Sequence, residues 1–431
     1  MTLALASGAP VVAGPRLAAG GQGEVFSILS PRAHVLKRYF PRELAKDPAL
    51  EARLLAMVAG RPPGWRESGG HITMAWPTDA VYEDGRFVGF IMPVIDMTAT
   101  VGIHRITNPS DRRRGDPSRP GAWMAGFSWR YLVRAAANLV RVTHAMHAAG
   151  IVIGDLNDAN VRVGQDARVT LLDCDSMQIT DAATGRRYFC RVGRPEFTAP
   201  ELLLADWSTT IREPASDIFA LAIHLYALLL EGEHPFRGVW DWEGEKPPVT
   251  ELATRGIWAH LEGGPLLPRP AAIGIDLLPD TIRGLFRTAF EHGSYSPADR
   301  PSAGEWYQAL RELEADLRTC AIEASHVYPG FHRGACPWCE HARRVPPPPE
   351  PLPPAPERAE PLAPLPSSAS PSPPSTVSPA GSPAGSPAGS PAGQLGRFMS
   401  PIQSGSMSEL RPASKSALRP RRPSHPGESQ G

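Results

Sequence analysis

The sequence has little net charge and few cysteines, and both absences narrow the classes of protein to which it can belong. Lys and Arg number 44, and Asp and Glu also number 44, among 431 residues. No overall field therefore draws the chain to nucleic acid or to a membrane surface, and we expect any partner to be recognised at a specific site. Five cysteines, an odd number, argue against a disulfide framework in a chain of this size.

Long hydrophobic runs are also missing. The longest candidate, residues 218–230, contains His224 and is shorter than the roughly 18 apolar residues of a membrane span, so it is typical of a buried helix. The opening MTLALASGAPVVAGP has no basic region in front of its apolar residues, which argues against a signal peptide. We expect a soluble, cytoplasmic protein with neither nucleic acid nor a membrane as partner.

Proline is the residue in excess. The chain has 49 prolines, concentrated after residue 344 in VPPPPEPLPPAPERAEPLAPL and in four tandem Ser-Pro-Ala-Gly units at residues 378–393. Such a segment has too little apolar surface to offset chain entropy, so the sequence predicts a disordered tail rich in Pro, Ser and Ala over residues 344–431. This tail is either a solvated spacer or a region for docking and phosphorylation.

The rest of the chain changes character along its length. Short β-type runs punctuated by Gly and Pro fill the first hundred residues, interrupted by a helical pattern in PRELAKDPALEARLLAMVAG that we expect to end at Gly60. From about residue 127 the pattern turns helical, most clearly in WRYLVRAAANLVRVTHAMHAAG. The sequence therefore predicts a strand-rich lobe followed by a helix-rich lobe.

Two segments in the strand-rich part are typical of phosphate binding. RLAAGGQGEVFSI contains Gly20, Gly21 and Gly23 between strand residues. Glycines there let backbone N–H groups approach phosphate oxygens, although a plain hairpin turn has the same pattern. Lys37 follows inside the apolar strand HVLKRYF, and the next helix offers Glu51, or else Glu43, as its carboxylate partner.

Acidic and amide side chains recur inside the apolar stretch IGDLNDANVRVGQDARVTLLDCDS. They are Asp155, Asn160, Asp173 and Asp175. A buried carboxylate is costly unless it is paired or binds a metal ion, so this spacing predicts a site for a cation or for a reacting proton. Carboxylate and amide oxygens are the ligands that Mg²⁺ prefers.

Together these segments resemble a protein kinase over about residues 12–318. Residues 153–160, Ile-Gly-Asp-Leu-Asn-Asp-Ala-Asn, keep the aspartate, leucine and asparagine of the kinase catalytic loop at their usual spacing. Asp173-Cys174-Asp175 stands where kinases have Asp-Phe-Gly, and Ala199-Pro200-Glu201 matches the end of a kinase activation segment. Five motifs occur in the order that the family has them.

The resemblance implies an α+β, bilobal protein-kinase fold. A small β-rich lobe would occupy about residues 12–100 and a large helical lobe about residues 101–318. Within the large lobe, Asp217 matches the aspartate that hydrogen-bonds the catalytic-loop backbone, and Arg300 matches the arginine that pairs with Glu201.

The resemblance also implies roles for the site residues. Asp155 would accept or orient the proton of the attacking hydroxyl, while Lys37 and Glu51 would position the phosphates. Asn160 and Asp173 would hold Mg²⁺ or Mn²⁺. The residues that would contact ATP are Leu17, Gly20, Gly21, Gly23, Val25, Lys37, Asn160 and Asp173.

Departures from the family pattern bear on activity. Ala18 replaces the first loop glycine, Gly154 replaces an arginine that reads activation-loop phosphate, and Asp175 replaces a glycine, which we expect to stiffen that turn. Asn157 replaces the catalytic-loop lysine, and the loss of that charge would lower the rate roughly 10²- to 10³-fold unless another cation substitutes. The candidates nearby in sequence are Arg162 and Arg191.

Similar departures occur in a divergent set of bacterial, eukaryotic-like (Hanks-type) kinases that read Gly-Asp-Leu-Asn-x-x-Asn and Asp-x-Asp-Ser. This resemblance implies phosphoryl transfer from ATP to Ser or Thr hydroxyls of proteins, including the chain's own tail, with phosphatase or von Willebrand-type partners. The alternative is a nucleotide-binding pseudokinase that signals through conformation. A kinase-fold enzyme acting on a small molecule is disfavoured because Ala199-Pro200-Glu201 closes a segment that shapes a peptide platform.

A small extension over residues 319–343 follows the kinase-like region. A Cys-x-x-Cys pair supplies two thiolates to a tetrahedral ion and a nearby histidine can supply another ligand, so one interpretation is a zinc site. Its predicted ligands are His332, Cys336, Cys339 and His341, in a segment that also contains His326. A redox pair and a surface turn packed by Trp338 are the other interpretations, because a full zinc site usually has two cysteine pairs.

Overall fold

Six strands of the N-terminal part close into an antiparallel barrel in the order β1-β2-β3-β4-β6-β5. The structure is a computed structural model that describes residues 2–113 and 121–344, so the predicted disordered tail lies outside the described residues apart from Arg344. The six strands are β1 (Leu3–Leu5), β2 (Pro10–Ala19), β3 (Gly23–Ser30), β4 (His34–Tyr39), β5 (Asp79–Glu83) and β6 (Arg86–Pro93). Because β1 pairs with both β2 and β5, the sheet begins before residue 12, where the sequence placed the start of the domain.

The barrel is filled by the inward-facing residues of its strands. Val11, Leu36, Val81 and Ile91 come from four different strands and form one buried cluster. Successive side chains of a strand point to opposite faces, so the apolar alternation in each strand decides which face is buried. The interior of the barrel is therefore apolar, and the residues that alternate with it point outward and can be polar.

The helical pattern after the fourth strand forms two helices instead of the single predicted segment. These are α1 (Pro41–Lys46) and α2 (Leu50–Ala59). The chain breaks between them because Pro48 cannot donate a backbone hydrogen bond and disfavours helical geometry in the residue before it. Gly60 ends α2 as predicted, with its N–H donating to the Ala56 carbonyl at 2.8 Å.

Helices dominate the second lobe, as the sequence predicts. The helices are α3 (Ile103–Thr107), α4 (Pro109–Arg113), α5 (Trp129–Ala148), α6 (Pro214–Leu229), α7 (Val249–Thr254), α8 (Asp280–Arg287), α9 (Gly293–Tyr295), α10 (Ala303–Ala315) and α11 (Pro337–Arg344). The segment predicted to be a buried helix forms most of α6, and its His224 donates from Nε2 to the Leu156 carbonyl at 3.0 Å. Among the residues described, no helix combines the length and the apolarity needed to cross a membrane.

Short strands complete the second lobe and carry its loops. They are β7 (Thr100–Gly102), β8 (Val161–Gly164), β9 (Val169–Leu171), β10 (Ile179–Thr180), β11 (Arg187–Tyr188), β12 (Val239–Trp240), β13 (Leu266–Leu267), β14 (Leu317–Thr319) and β15 (Val327–Pro329). In the three-stranded sheet β7-β8-β9, strands β8 and β9 form the segment that links residues 155 and 173 in sequence. It therefore fixes the spacing of the acidic residues that the sequence singled out.

The predicted pairing of Arg300 with Glu201 is confirmed. The guanidinium donates to both carboxylate oxygens at 2.7 Å, and it also donates to the carbonyls of Ala215 and Gly293. The Arg300 side chain is 0% exposed, so its charge has no solvent and depends on these acceptors. This ion pair ties the segment around Ala199-Pro200-Glu201 to the base of the helical lobe.

We expect Glu201→Gln to lower the free energy of unfolding by about 2–3 kcal/mol, because it leaves the buried Arg300 cation with neutral acceptors only. Urea unfolding followed by circular dichroism measures this loss. The matched control is Glu251→Gln, which removes a solvent-exposed pair with Arg255 and should cost less than about 1 kcal/mol. Equal losses in the two variants would contradict the structural role of the buried pair.

Candidate active site

The barrel strands bring three predicted residues onto one line across the sheet. Ala18 of β2 is paired in register with Val25 of β3, and Val25 is paired with Lys37 of β4. On its other side Lys37 is paired with Phe90 of β6. Lys37 is 7% exposed although it lies in an apolar strand, so its ammonium has to find partners inside the protein.

The glycines of the loop between β2 and β3 differ in what surrounds them. Gly20 and Gly21 are exposed and have open space where a side chain would be. Gly23 is buried, and a Cβ there would lie 2.2 Å from the Arg38 carbonyl oxygen, so this glycine is required for the close approach of β3 and β4. The loop is also closed by Gly20, whose N–H donates to the Gly23 carbonyl at 2.9 Å.

Lys37 donates to two carboxylates of the same short segment. Its Nζ lies 2.6 Å from Asp173 Oδ1 and 2.8 Å from both oxygens of Asp175. Burial by itself would lower the pKa of Lys37, but Asp175 and Asp173 outweigh burial and raise it above the ordinary value. A third partner is Gln22 at the tip of the glycine loop, whose Oε1 accepts from Nζ at 3.3 Å.

The predicted contact between Lys37 and Glu51 is wrong for this structure. Among the described residues, Glu51 does not reach Lys37, and its carboxylate instead accepts from the Tyr82 hydroxyl at 2.9 Å. The inward face of α2 contains Leu50, Leu54 and Met57, which places Glu51 on the outer face. The alternative, Glu43, pairs with Lys46 at 2.9 Å on α1.

Arg53, not an acidic residue, is the charged residue that α2 buries. It is 5% exposed and donates to the carbonyls of Met177 at 2.5 Å and Phe189 at 3.4 Å. Its charge acts with Lys37 and the Tyr39 hydroxyl to lower the pKa of Asp175 against the opposing effect of burial. In the sequence, this role is indicated only by the position of Arg53 on the apolar face of the amphipathic helix α2.

The turn that contains these two aspartates differs from the predicted one. Asp173 has φ +54° and ψ +35°, in the left-handed region, whereas Asp175 lies in the short 3₁₀ helix Cys174–Ser176. The expected stiffening through left-handed geometry at Asp175 is therefore wrong, since that residue has ordinary right-handed backbone. Aspartate is among the residues that tolerate the left-handed region best.

The catalytic loop is anchored by Asp217 as the sequence predicts. Asp217 on α6 accepts from the backbone N–H groups of Ile153 and Gly154, both at 2.7 Å, and from His147 Nε2 at 3.0 Å. Gly154 has φ +74°, and a Cβ at this position would lie 2.6 Å from Cys190 Sγ. A side chain at position 154 would therefore clash with the activation segment.

Asn157 orients the predicted catalytic aspartate. Its Nδ2 donates to Asp155 Oδ1 at 2.7 Å, and its Oδ1 accepts from the Ala159 N–H at 2.9 Å. Asn160 donates from Nδ2 to the Asp155 carbonyl at 3.0 Å. Asn157, which stands in place of the family's lysine, is 3% exposed and makes its hydrogen bonds within the loop. Its amide is neutral, so it supplies no positive charge to the site.

The two arginines considered as replacements for that lysine are engaged elsewhere. Arg162 donates to Thr100 Oγ1 at 2.9 Å and to nearby carbonyls, and Arg191 pairs with Asp47 at 3.0 Å. Other arginines do reach the catalytic loop. Arg194 Nη1 lies 2.9 Å from Asp158 Oδ1, and the buried Arg212 donates to the Gly154 carbonyl. Arg194 is 39 residues away from Asp155 in sequence, so spacing alone could not identify it.

The acidic and amide groups meet at one end of the cleft between the lobes. The N–H of Leu172 donates to the Asn160 carbonyl at 2.8 Å, which fixes Asp173 beside the catalytic loop. Burial and the charge of Asp175 raise the pKa of Asp173, and the charge of Asp155 acts in the same direction, whereas Lys37 opposes them. A bound cation would relieve the repulsion between these carboxylates, so this group of oxygen ligands is suited to a cation.

A second cleft adjoins the catalytic loop. Its volume is about 410 Å³, and the residues that line it include Asp158, Arg194, Glu196, Phe197 and His234. Glu196 and Phe197 are separated from Ala199-Pro200-Glu201 by one residue, Thr198. The cleft therefore connects the catalytic loop with the segment expected to hold a peptide.

The predicted zinc ligands are only partly brought together. Cys336 and Cys339 converge with Cys320 and His326 so that their ligand atoms all lie within 4.8 Å of one another. His332 instead contacts the Ala335 carbonyl through Nε2 at 3.1 Å, and neither it nor His341 belongs to this group. The spacing near the Cys-x-x-Cys pair favoured His332 and His341, whereas the hairpin brings Cys320 and His326 to the pair from further away in sequence.

Comparison with known proteins yields several named kinases. Protein kinase YegI of Escherichia coli O157:H7 is 32% identical over 344 residues, which are 78% of this chain and 50% of that protein. Protein kinase YegI of Escherichia coli strain K12 is 31% identical over 332 residues, which are 76% of this chain and 48% of that protein. The serine/threonine-protein kinase PDK1 of Cryptococcus neoformans is 32% identical over 114 residues, 25% of this chain and 9% of that protein.

The similarity to the YegI kinases covers most of this chain but only part of those proteins. The chain spans about half the length of the YegI relatives that it matches. No protein-family model matches the chain. The mixed architecture of a strand-rich lobe and a helical lobe fits a bilobal kinase fold. Sequence similarity over three quarters of the chain and the geometry of the cleft together support a protein kinase family for this protein.

Proposed function

We propose that this protein transfers the γ-phosphoryl group of ATP to Ser or Thr hydroxyls of proteins in a reaction that depends on Mg²⁺ or Mn²⁺. The observation that carries the proposal is the cluster in which Lys37 contacts Asp173 while Asp173 adjoins the loop of Asp155 and Asn160. Phosphoryl transfer needs little covalent chemistry from the protein, so positioning and charge supply most of the catalysis.

In this proposal the glycine loop and Lys37 bind the nucleotide phosphates. Gly20 and Gly21 have open space where side chains would otherwise lie, and Leu17 and Val25 flank the loop on the adjoining strands. The Lys37 ammonium is a fixed point charge at the base of the loop, because four acceptor oxygens from three residues hold it in place. Gly23 contributes indirectly by letting β3 approach β4.

Asp155 is the group that receives or orients the hydroxyl proton. Asn157 occupies Asp155 Oδ1 at 2.7 Å, whereas Asn160 Nδ2 lies 3.4 Å from Oδ2. The Oδ2 atom is therefore the less tightly held oxygen and the one that we assign to the attacking hydroxyl. A carboxylate positioned in this way typically contributes 10²–10⁴-fold to a rate as a general base.

The donor set fits a hard divalent cation. Asp173 keeps Oδ2 for a ligand because Lys37 takes Oδ1, and Asn160 keeps its amide oxygen because its amide nitrogen donates to Asp155. Two such protein ligands are typical of Mg²⁺ sites in which phosphates and waters complete the octahedron. When bound, the ion would neutralise charge on the phosphate oxygens.

Arg194 is the cation that we propose in place of the missing lysine. It belongs to the segment that ends at Ala199-Pro200-Glu201, and its pairing with Asp158 holds it against the catalytic loop. Its side chain is 49% exposed, so it can turn toward a phosphate without losing a buried contact. A guanidinium suits phosphate recognition because its planar donors can bind two oxygens.

The cleft beside the catalytic loop suggests how a protein substrate would bind. We propose that the cleft lined by Glu196 and Phe197 accepts an extended protein segment, and that Ser-Pro sites of the chain's own tail are among the substrates. A phosphatase or von Willebrand-type partner and a cytoplasmic location remain predictions from the resemblance and the sequence.

A nucleotide-binding pseudokinase is the second candidate function. The observation that favours it is Asn157, which is buried and neutral at the position where kinases carry a lysine. Without a substituting cation the transition state would lack one stabilising charge. Nucleotide binding would then act through conformation and partner binding instead of phosphate transfer.

Incubation with γ-labelled ATP and Mg²⁺ or Mn²⁺ tests the leading proposal. We expect the wild type to incorporate phosphate and Asp155→Asn to lose 10²–10⁴-fold in rate, because the general base is gone. Asp173→Asn should lose at least as much. Mass spectrometry maps the sites, and modification between Ser367 and Ser429 would identify the tail as a substrate.

The matched control is Asp206→Asn, which alters an exposed turn where the carboxylate accepts from Ser208 and should leave incorporation unchanged. Incorporation that persists in Asp155→Asn would contradict the assigned role. A wild type that incorporates no phosphate but melts at a higher temperature with nucleotide would support the pseudokinase.

We expect Arg194→Met to lower kcat about 100-fold with little change in the KM for ATP, because it removes a charge that acts on the transferring phosphate. Arg194→Lys should recover part of the loss. Steady-state kinetics with a peptide substrate measure both constants. The control is Arg186→Met, which removes an exposed activation-segment cation that lies over the Tyr188 ring. A loss confined to the peptide KM would show that Arg194 binds substrate and does not stabilise charge.

A further inference from the structure

Four side chains of the C-terminal extension converge on one point. The Sγ atoms of Cys320 and Cys339 are 3.9 Å apart, and His326 Nδ1 lies 3.8 Å from Cys336 Sγ and 3.4 Å from Cys339 Sγ. Zn–S bonds of about 2.3 Å and Zn–N bonds of about 2.0 Å at tetrahedral angles require S···S distances of about 3.8 Å and S···N distances of about 3.5 Å. The measured separations match these values.

We propose that Cys320, His326, Cys336 and Cys339 bind a structural zinc ion. Three thiolates and one imidazole in tetrahedral array favour Zn²⁺ over the oxygen-seeking cations of the active site. Four protein ligands leave no open position, so the ion would have no catalytic role. The cysteines are not bonded to one another, since all five in the chain are free thiols.

The position of the ligands explains what the ion would hold. Cys320 directly follows β14, His326 directly precedes β15, and Cys336 and Cys339 flank the start of α11. A two-stranded hairpin and one short helix bury too little apolar surface to be stable alone. One ion bound to all three elements would supply the missing cohesion, as in other small metal-stabilised modules.

The same extension packs on the helical lobe. Trp338 donates from Nε1 to the Val327 carbonyl at 2.6 Å, and its ring centre lies 6.0 Å from that of Trp129, the first residue of α5. Arg130 donates to the Leu317 carbonyl at 3.4 Å. The proposed ion therefore fastens the extension to the start of α5, the helix that leads into the catalytic loop.

Metal analysis of the purified full chain tests this proposal. We expect one zinc per chain, with zinc retained in His332→Ala and lost in His326→Ala and Cys339→Ser. The His326→Cys variant should retain zinc because a fourth thiolate can replace the imidazole. Co²⁺ exchanged into the site should give the absorption of a tetrahedral thiolate complex, and removal of the metal should expose residues 317–344 to proteolysis.

Loss of zinc in His332→Ala with retention in His326→Ala would instead support the ligands predicted from sequence spacing and overturn this set. A folded wild type that takes up neither Zn²⁺ nor Co²⁺ would overturn the site altogether. If His326→Ala fails to fold, the retained metal in His326→Cys and the contrast with His332→Ala still decide the ligand set.

A second inference rests on the proposed function and concerns how Lys37 is held. Asp175 contacts Lys37 through both oxygens at 2.8 Å, is 4% exposed, and accepts from the Tyr39 hydroxyl at 2.6 Å. Asp173 offers one oxygen to Lys37, and its side chain is 41% exposed to the cleft. We infer that Asp175 is the positioning residue for Lys37, a task expected of Glu51 on the helix.

The neighbouring helix supports this assignment. Its buried charge is Arg53, which donates to carbonyls on the C-terminal side of Asp175 and so braces the segment that carries this aspartate. An acidic residue reaching in from α2 would add a third carboxylate beside Asp173 and Asp175, and like charges at such distances repel strongly. The lysine and a metal ligand are thus positioned by one segment of three residues.

Nucleotide affinity separates this inference from the proposed function. We expect Asp175→Asn to weaken binding of Mg²⁺ and ATP about tenfold and Asp175→Glu to recover part of it, because only a carboxylate neutralises Lys37. Glu51→Gln should have a smaller effect. The control Glu83→Gln removes a partly buried pair with Arg38, whose side chain alternates to the opposite face of β4 from Lys37, and should leave affinity unchanged.

Melting temperatures check that each variant is folded, and kcat and KM for ATP are measured wherever the wild type turns over. A larger loss in Glu51→Gln than in Asp175→Asn would overturn the inference. Failure of phosphate transfer in the wild type would contradict the proposed function but leave the affinity comparison intact.

Discussion

A buried ammonium group sets the conditions for the rest of the cleft. Lys37 lies in β4 of a closed barrel with 7% of its surface exposed, and a charge in that position is tolerated only with opposite charges beside it. The acidic partners come from the far lobe, from Asp173 and Asp175. The two lobes are therefore joined at the site by an electrostatic requirement as well as by packing.

That requirement is met with balanced charge. Lys37 and Arg53 both act on Asp175, and Lys37 also contacts Asp173, so the formal charges of these four side chains cancel. If Asp173 takes up a divalent cation, Asp175 alone still neutralises Lys37. A glycine at position 175 could not do this, which gives a physical reason why the departure from Asp-Phe-Gly and the outward position of Glu51 occur together.

Much of this architecture could be predicted from the sequence, because it depends on local pattern. The buried helix α6, the end of α2 at Gly60, the anchoring of the catalytic loop by Asp217 and the pairing of Arg300 with Glu201 are all confirmed. The contacts that the sequence did not predict are those between side chains far apart in sequence, together with the face of a helix on which a residue lies. The outward face of Glu51, the reach of Arg194 to Asp158, and the return of Cys320 and His326 to the Cys-x-x-Cys pair belong to this group.

The catalytic loop shows how a departure in one position changes the demands on another. Asn157 gives up the lysine's charge but gains two hydrogen bonds that fix Asp155 and the Ala159 N–H. A lysine at position 157 would carry a charge that can meet a phosphate, but it has no acceptor for the Ala159 N–H. In the proposed function, orientation of the aspartate and stabilisation of the phosphate therefore fall to different residues, and the second task is assigned to a cation outside the loop. Arg194 is suited to it because the activation segment, whose end is locked by Arg300 and Glu201, carries it to the loop's edge.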